Sequence, residues 1–442
     1  MPGIFFIDFY NNTGEDVTLT ARVLDEGDWY ASKDGNPQYL IDGLHLAKDT
    51  RLAQPLVLKR ANLVDTAPFV MTVDIGGTQL VFRLDAKDAI NAIDIPELPI
   101  YQGGYEYTAL QVISQVGEIE YDNPNYNRMT IFLTPALDMR RWMDQCQDKT
   151  LMEINLPGTH NSGTYGGNGE MGTQCQEVDF QAQLEAGVRY FDLQLDYNPD
   201  TFDDLGVYNQ NYFQNVWFNA DLMPVIKGFL IDNPSECIVL CVNRPLDPPN
   251  YKDDPINGKL HEYLMTLPQG KLVDHNGPEI FSKPLSDLRG CVVLLRRDIP
   301  QDFGLNVHDW ADDLAYQELK VGSRDTLRIQ DKYKTSYGFG GVAEKWGLVK
   351  NHMALALLHA TNPHAWYLNF TSCSLESGPV LPWYPKGYAT KDGMGLNFVV
   401  AQHLALFTTP TACRYGTMVM DFVDVPARNT LIQLLLAWNR HL

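Results

Sequence analysis

Short apolar runs typical of buried β-strands alternate with longer segments of helical periodicity throughout the part of the chain that follows residue 137. Alternation of this kind favours a parallel sheet, because each parallel connection crosses over through a helix. It predicts an α/β domain, either a (β/α) barrel or a doubly wound sheet, with its chemistry at the carboxyl ends of the strands. The predicted strands are 189–195, 236–242, 291–295, 327–330, 366–370 and 416–422, and the predicted helices are 139–145, 222–231, 260–267, 344–358, 396–407 and 427–438.

Residues 1–137 have instead the pattern of an all-β domain. Asn11-Asn12-Thr13-Gly14 separates the first two strand-like runs and Gly76-Gly77 the next two, and both sequences are typical of hairpin turns. Short strands between turn residues favour a β-sandwich. We therefore predict an accessory sandwich at 1–137, with lipid or membrane binding as a candidate role, followed by the α/β domain at 138–442. The strand-like runs are 3–10, 16–24, 69–75, 78–84, 107–112 and 129–133.

The charge of the chain limits its partners. Its 442 residues include 55 acidic and 34 basic side chains, and the formal charge of −21 argues against nucleic acid and against electrostatic capture by anionic membranes. The first residues lack the basic region of a secretory signal, and no apolar run approaches the roughly 20 residues of a spanning helix. The seven cysteines are an odd number and widely spaced, which favours buried thiols in a reducing compartment. We expect a soluble protein, either cytoplasmic or released by a leaderless route.

Two segments carry groups suited to proton transfer. Residues 156–162, Leu-Pro-Gly-Thr-His-Asn-Ser, place His160 on a turn, and residues 187–193 are typical of a strand that carries the carboxylate of Asp192 near its end. Histidine is the side chain best suited to proton transfer near neutral pH. The two segments therefore predict an acid–base site at an open barrel end.

Seven segments, taken in order, resemble the X region of the bacterial phosphatidylinositol-specific phospholipases C. The resemblance covers most of residues 140–440 and implies a TIM-like, distorted (β/α) barrel. It also implies that one histidine deprotonates the inositol 2-hydroxyl, which attacks the phosphorus, while a second histidine protonates the leaving oxygen. The segments are LPGTHNS at 156–162, GVRYFDL at 187–193, FLIDNPSE at 229–236, VVLLRR at 292–297, QDKYK at 330–334, YLNFTS at 367–372 and VMDFV at 419–423.

This resemblance assigns catalytic roles to four residues. His160 matches the general base, and Asp421 matches the carboxylate that orients the base. Asn161 and Asp192 match the polar residues beside the base. The expected catalytic set is thus drawn from widely separated parts of the chain.

A second set matches the residues that hold the inositol ring. Arg297, Asp331 and Tyr333 fit that role, because arginine offers paired donors, aspartate accepts from hydroxyls and tyrosine provides a stacking face. Asn243, or alternatively Arg244, stands where the bacterial family has a lysine that faces the inositol. The resemblance therefore predicts a phospholipid or inositol-phosphate head group as the ligand.

The chain departs from the family at two positions that matter for turnover. The second histidine is replaced by Asn209 or, in the other alignment, by Gln210, and an amide cannot donate a proton to an alkoxide. The phosphate-clamping arginine of the bacterial type is replaced by Gln194. Both substitutions predict that phosphodiester cleavage is weak or lost.

A calcium ion takes the place of that arginine in the eukaryotic type. Asn161 and Asp192 match two of its ligands, but Gln194 and Asn243 stand where further carboxylates are needed. Calcium takes roughly six to eight oxygen ligands, so we expect no cofactor and keep calcium as a weak candidate.

The resulting prediction is a phospholipase C-like protein that binds a head group and has little or no activity. One alternative is an active phosphodiesterase that uses a replacement acid or calcium, and a second is a membrane-active toxin or lectin-like protein whose sandwich carries the activity. The aromatic segments 208–218 and 379–388 are candidates for peripheral membrane contact, although packing of these loops against the barrel is the favoured explanation.

Overall fold

The structure is a computed structural model, and it describes residues 4–23, 29–32, 37–38, 40–53, 56–60, 69–75, 78–84, 107–115, 126–166, 172–197, 203–245, 255–268, 271–273, 280, 282–297, 299, 303–321, 323–375, 381–406, 413–426 and 428–442. Over these ranges, no helix has both the length and the apolar character that crossing a membrane requires.

The chain divides into two compact units. The first comprises Met1–Leu137, Asp392–Met394 and Phe398–Pro410, and the second comprises Asp138–Lys391, Gly395–Asn397 and Thr411–Leu442. The predicted organisation into an accessory domain at 1–137 and a barrel domain at 138–442, each with its own role, stays a prediction.

The strands of the first unit form two sheets. One has the order β10-β11-β1-β7-β3-β4, with β6 also paired to β1, and the other has the order β5-β2-β8-β9. That the two sheets form a sandwich stays a prediction. The strands are β1 Ile4–Asn11, β2 Val17–Val23, β3 Trp29–Ser32, β4 Pro37–Gln38, β5 Leu40–Leu46, β6 Thr50–Arg51, β7 Leu56–Arg60, β8 Phe69–Ile75, β9 Thr78–Leu84, β10 Tyr107–Gln115 and β11 Tyr126–Pro135.

One predicted hairpin is present and the other is wrong. Strands β8 and β9 pair antiparallel in full register, although their Gly76-Gly77 turn lies outside the described residues. Strand β1 pairs with β6, β7 and β11, whereas β2 pairs with β5 and β8. The reason lies at Asn11, which is buried: its Oδ1 accepts the Thr13 hydroxyl at 2.7 Å and its Nδ2 donates to the Ala47 carbonyl at 3.1 Å. These bonds make 11–14 a link between two sheets instead of a hairpin turn.

The second unit alternates strands and helices, as predicted. Its strands are β12 Leu156–Thr159, β13 Tyr190–Tyr197, β14 Leu205–Asn209, β15 Tyr212–Trp217, β16 Ile238–Asn243, β17 Leu272–Val273, β18 Val292–Arg296, β19 Leu305–Asn306, β20 Gln317–Val321, β21 Asp325–Gln330, β22 Lys334–Thr335, β23 Ala365–Phe370, β24 Ser374–Leu375 and β25 Thr417–Met420. Its helices, with α6 shared between the units, are α1 Phe180–Glu185, α2 Met223–Asp232, α3 Ile256–Leu264, α4 Phe339–Leu358, α5 Pro385–Thr390, α6 Leu396–Leu406 and α7 Thr430–Ala437.

The parallel strands of this unit have the order β18-β16-β13-β12-β25-β23-β21, and every neighbouring pair is parallel. The order follows the chain outward from β12 to β18 and returns from β21 to β25, so that the first strand pairs with the last, as in a (β/α) barrel. The sheet is nearly closed but not fully so, because no pairing joins its two end strands, β18 and β21, within the residues described. The prediction of a TIM-like, distorted barrel is confirmed.

The predicted helix at 139–145 is wrong, and the buried Arg189 explains why. That segment contains only a short 3-10 helix, Trp142–Cys146. Arg189 donates to the carbonyls of Met139 and Arg140, and the carboxylate of Glu236 accepts the amide of Met143. Backbone groups that an α-helix would pair internally are thus taken by side chains of the barrel.

Arg189 and Glu236 form a fully buried ion pair at the amino-terminal side of β13 and β16. The Arg189 Nε lies 2.9 Å from the Glu236 Oε2, and both side chains are 0% exposed. The other guanidinium donors bind main-chain carbonyls, including that of Leu184 at 2.7 Å. All three guanidinium nitrogens therefore donate hydrogen bonds, and those from Nη2 attach the entry segment to the barrel.

We expect Arg189→Met to lower the free energy of unfolding by about 3–5 kcal/mol, because the variant leaves a buried carboxylate without its cation. Urea unfolding followed by fluorescence measures this change. A matched control is Glu177→Gln, which breaks the exposed Lys386–Glu177 pair of 2.8 Å and should cost about 1 kcal/mol or less. Equal effects of the two variants would contradict the structural role of Arg189.

Candidate active site

The predicted site residues lie at or just beyond the carboxyl ends of the parallel strands. His160 follows β12, Asp192 lies within β13, and Asp421 follows β25. Arg297 follows β18 and Asp331 follows β21. The barrel therefore brings together groups that are far apart in the chain at its functional end.

His160 and Asp421 form a hydrogen-bonded dyad. Because Thr159 is paired with Met420 in the β12–β25 register, the next residues of the two strands lie side by side. The His160 Nδ1 lies 2.8 Å from the Asp421 Oδ1. The Asp421 side chain is 2% exposed and that of His160 is 23% exposed, so one carboxylate is held in the interior and the imidazole reaches the surface of the site.

The environment of His160 favours the charged imidazolium. Burial lowers the pKa of His160, but the Asp421 carboxylate more than offsets this effect, and the net pKa lies well above its ordinary value. The fixed negative charge therefore stabilises the protonated ring, which is the form that a base reaches after it has accepted a proton.

The turn after His160 positions Asn161 and Asp192. Asn161 has a φ of 44°, in the left-handed region that asparagine tolerates better than most residues. The backbone N–H of Asn161 donates to the Asp192 Oδ2 at 3.3 Å, and the backbone N–H of Ser162 donates to the Asp192 main-chain carbonyl at 2.8 Å. Asp192 Oδ1 is buried and has no hydrogen-bond partner among the described residues. Burial raises the pKa of Asp192, while the charges of His160 and Arg297 oppose the rise.

Amides occupy the two substituted positions, and both are bonded to protein groups. Gln194 donates from Nε2 to the Asn161 Oδ1 at 3.2 Å, and its Oε1 accepts a hydrogen bond from the backbone N–H of Gln210 at 3.0 Å. Asn209 is buried and donates to the Thr173 carbonyl at 2.8 Å, whereas Gln210 is exposed. Neither Gln194 nor Asn209 supplies a transferable proton or a positive charge.

The same contacts bear on calcium. The Asn161 Oδ1, which would be a metal ligand, is already bonded to Gln194, and only Asp192 contributes a carboxylate beside it. A set of one carboxylate and one engaged amide fits calcium poorly, since that ion takes roughly six to eight oxygens. A need for calcium stays a prediction to be tested.

Arg297 and Asp331 come together, but Tyr333 faces elsewhere. The Arg297 Nη2 lies 3.6 Å from the Asp331 Oδ2, which also accepts the indole N–H of Trp310 at 3.0 Å. The Arg297 guanidinium lies 4.3 Å from the centre of the Trp310 ring. The Tyr333 hydroxyl instead donates to Asp312 at 3.1 Å on an exposed surface. Trp310, and not Tyr333, is thus the aromatic residue in contact with Arg297 and Asp331, and the stacking role of Tyr333 stays a prediction.

The two candidates for the place of the bacterial lysine, Asn243 and Arg244, differ in their contacts. Asn243 ends β16 opposite Gln194, and its Oδ1 is buried without a hydrogen-bond partner among the described residues. Arg244, the alternative, lies 3.0 Å from the Asp196 carboxylate. Of these two, Asn243 has the polar atom that remains available to a ligand.

Trp310, Phe370, Gln176 and Cys175 are site residues that the sequence reasoning missed. Phe370 meets the rings of both His160 and Trp310 edge-on, at 6.3 and 5.6 Å between centroids. Gln176 donates to the carbonyls of His160 and Met420 at 2.9 and 2.8 Å and so holds the two dyad strands together. Phe370 lies in the YLNFTS segment, which was a usable signal, but the other three lie in loops outside the recognised segments.

The two aromatic segments differ in what the structure describes. In the first, Phe213 packs 4.6 Å from Trp217, and Tyr212 is 42% exposed. In the second, residues 376–380 lie outside the described ranges, and Trp383 is buried against Phe339. Much of this aromatic surface is therefore used in packing, and peripheral membrane contact stays a prediction.

Curated proteins similar to this chain share one name. A 1-phosphatidylinositol phosphodiesterase of Staphylococcus aureus (strain Newman) is 25% identical over 244 residues, which cover 52% of this chain and 74% of that protein. A 1-phosphatidylinositol phosphodiesterase of Listeria monocytogenes serovar 1/2a is 26% identical over 337 residues, which cover 72% of this chain and 91% of that protein. No family model matches the chain.

Solved structures agree on the fold. A mutant of phosphatidylinositol-specific phospholipase C from Staphylococcus aureus superposes with a TM-score of 0.56 at 24% identity, covering 68% of this chain and 98% of that one. A second structure of that enzyme gives a TM-score of 0.57 at 23% identity, with the same coverage. At this level of identity the structures support the barrel fold alone.

The relatives and the barrel fold make this chain similar to the bacterial type of phosphatidylinositol-specific phospholipase C. The resemblance predicted from the sequence is confirmed, and the chain is a divergent relative of that family. This similarity does not identify the first unit.

We expect His160 to titrate above its ordinary pKa of about 6.5, and Asp421→Asn to lower the midpoint because it removes the carboxylate that raises the pKa of His160. The sign follows from linkage: the raised pKa stabilises the fold fully below the unfolded pKa, and this contribution is lost as pH rises through the folded pKa. Histidine NMR in metal-free buffer measures the midpoint. Asp325→Asn, which removes the carboxylate 2.9 Å from His364, is the matched control and should leave His160 unchanged. A His160 midpoint that is insensitive to Asp421→Asn would contradict the dyad.

Proposed function

We propose that the second unit binds a phosphatidylinositol or inositol-phosphate head group at the carboxyl ends of its strands and cleaves the phosphodiester weakly or not at all. The observation that carries the proposal is the retained His160–Asp421 dyad beside two amides, Gln194 and Asn209, that are already bonded to the protein. The names of the relatives support phosphatidylinositol as the lipid class.

Binding is supported by the groups that remain. Arg297 offers guanidinium donors beside Asp331, and Trp310 supports both with its ring and its N–H. Asp192 Oδ1 and Asn243 Oδ1 are buried acceptors that lack partners within the described residues. A polyol head group has the hydroxyl donors that such acceptors need, because a buried acceptor without a partner costs about 1–3 kcal/mol.

Weak turnover follows from the chemistry of each step. The dyad can still accept the proton of an attacking hydroxyl. The leaving alkoxide, however, needs a proton that neither amide can supply, and a general acid typically contributes about 10²–10⁴-fold. Without a clamping cation, the negative charge that develops on phosphorus also lacks a stabilising term of about 3–4 kcal/mol.

The active alternative is favoured by one observation, the intact 2.8 Å dyad. The alternative in which the first unit is a toxin or lectin-like module, with a lipid or membrane ligand of its own, stays a prediction. Absence of nucleic acid among the partners likewise stays an expectation from the charge.

We expect weak cleavage of an inositol phosphodiester with an aryl leaving group and almost none of phosphatidylinositol, because an aryloxide departs without protonation. Product release measured over a range of pH tests this difference, with His160→Ala as the control that abolishes any cleavage. Gln194→Arg combined with Asn209→His should raise cleavage of the lipid more than either change alone. Robust cleavage of phosphatidylinositol by the unmodified chain, lost in His160→Ala, would establish the active alternative instead.

Head-group binding can be measured separately from turnover. We expect Arg297→Gln to weaken binding of inositol 1-phosphate at least tenfold by calorimetry, because it removes the cation that faces Asp331. The matched control, Arg141→Gln, alters a guanidinium that binds the carbonyl of Asp232 at 2.9 Å and should leave binding unchanged. A calcium chelator should also leave binding unchanged, and a loss on chelation would identify a calcium site. Equal affinities in both arginine variants would contradict the proposed pocket.

A further inference from the structure

Three metal-ligating side chains converge at the dyad. A ring nitrogen of His160, the Sγ of Cys175 and a carboxylate oxygen of Asp421 all lie within 4.8 Å of one another. Cys175 is buried on the segment before α1, where its amide donates to the Thr164 hydroxyl at 3.0 Å. The relatives' names and the acid–base chemistry account for His160 and Asp421 but not for the thiol.

The surroundings of the sulfur provide an independent observation. Asn161 donates from Nδ2 to the Cys175 Sγ at 3.7 Å, and Asn209 donates from Nδ2 to the same sulfur at 3.5 Å. Two amide donors face this one sulfur, and outer hydrogen bonds of this kind orient metal ligands. The side-chain amide of Asn209, at the substituted acid position, therefore faces the Cys175 sulfur.

The donor set points to one class of ion. Thiolate, imidazole and carboxylate are the three ligand types that zinc takes, at about 2.0–2.3 Å in tetrahedral geometry. Ligand atoms of such a site lie about 3.3–3.8 Å apart on that geometry, so small side-chain rotations suffice from the observed cluster. Calcium and magnesium prefer oxygen ligands alone.

We propose that His160, Cys175 and Asp421 bind one zinc-class divalent ion, with a fourth position open to water or ligand. Binding releases to solvent the Cys175 thiol proton and the extra proton of the His160 imidazolium, and the ion engages both members of the dyad. The ion is thus an inhibitor of the dyad and not its cofactor. The metal site does not depend on the proposed function; only its effect on turnover does.

Cobalt titration of the full-length chain provides the test, because a thiolate bound to cobalt gives an intense charge-transfer absorption. We expect one cobalt per chain with that absorption, displaced by zinc. Cys175→Ser should abolish the absorption and weaken binding at least tenfold, whereas Cys291→Ser, which alters a buried thiol just before β18 at the opposite end of the strands, should keep both.

Asp421→Asn is a second variant with the same readout, and it keeps the proposal testable if Cys175→Ser fails to fold. It should retain the absorption but lower the affinity. No charge-transfer absorption at millimolar cobalt, or a band that survives Cys175→Ser, would overturn the site. Since the readout is spectroscopic, its failure is distinct from a failure of head-group binding or of cleavage.

Discussion

The parallel pairing of β12 with β25 is the constraint on which the rest of the barrel depends. It joins the first and last parallel strands of the second unit and brings His160 beside Asp421 across 261 positions of sequence. Gln176 reinforces the pairing by donating to the last carbonyls of both strands. Closing the chain in this way costs loop entropy that rises only slowly with length, so buried strand contacts can offset it. The pairing of β12 with β25 therefore both joins the first and last parallel strands and brings the two residues of the candidate dyad together.

The ion pair of Arg189 and Glu236 plays the complementary role at the other end of the strands. It attaches the entry segment to the barrel by hydrogen bonds from a buried guanidinium and prevents that segment from forming an α-helix. One end of the barrel is thus committed to stability, while the opposite end holds buried acceptors that have no partner among the described residues, Asp192 Oδ1 and Asn243 Oδ1. Buried polar groups without partners cost stability, and these two acceptors lie on neighbouring strands beside the dyad.

The two substituted amides are integrated into this site. Gln194 binds Asn161 and the backbone of Gln210, and Asn209 binds the segment that carries Cys175. Because these contacts satisfy the amides locally, the substitutions do not leave a hole where the acid and clamp would stand. The proposals of weak turnover and of a sulfur-containing metal site both rest on these contacts.

Much of the fold followed from the sequence, because apolar runs of strand length that alternate with helical periodicity have few solutions besides a parallel barrel. The β8–β9 hairpin could also be predicted from the sequence. The candidate dyad could be predicted only from the motifs that contain His160 and Asp421. Tertiary structure alone decided the rest. Asn11 links two sheets because its side chain donates to the carbonyls of residues 46 and 47. Trp310 contacts Arg297 through its ring, and Cys175 lies at the dyad with Asn209 and Asn161 donating to its sulfur. Each of these outcomes depends on a contact between distant segments, and local periodicity and turn preference carry no information about such contacts.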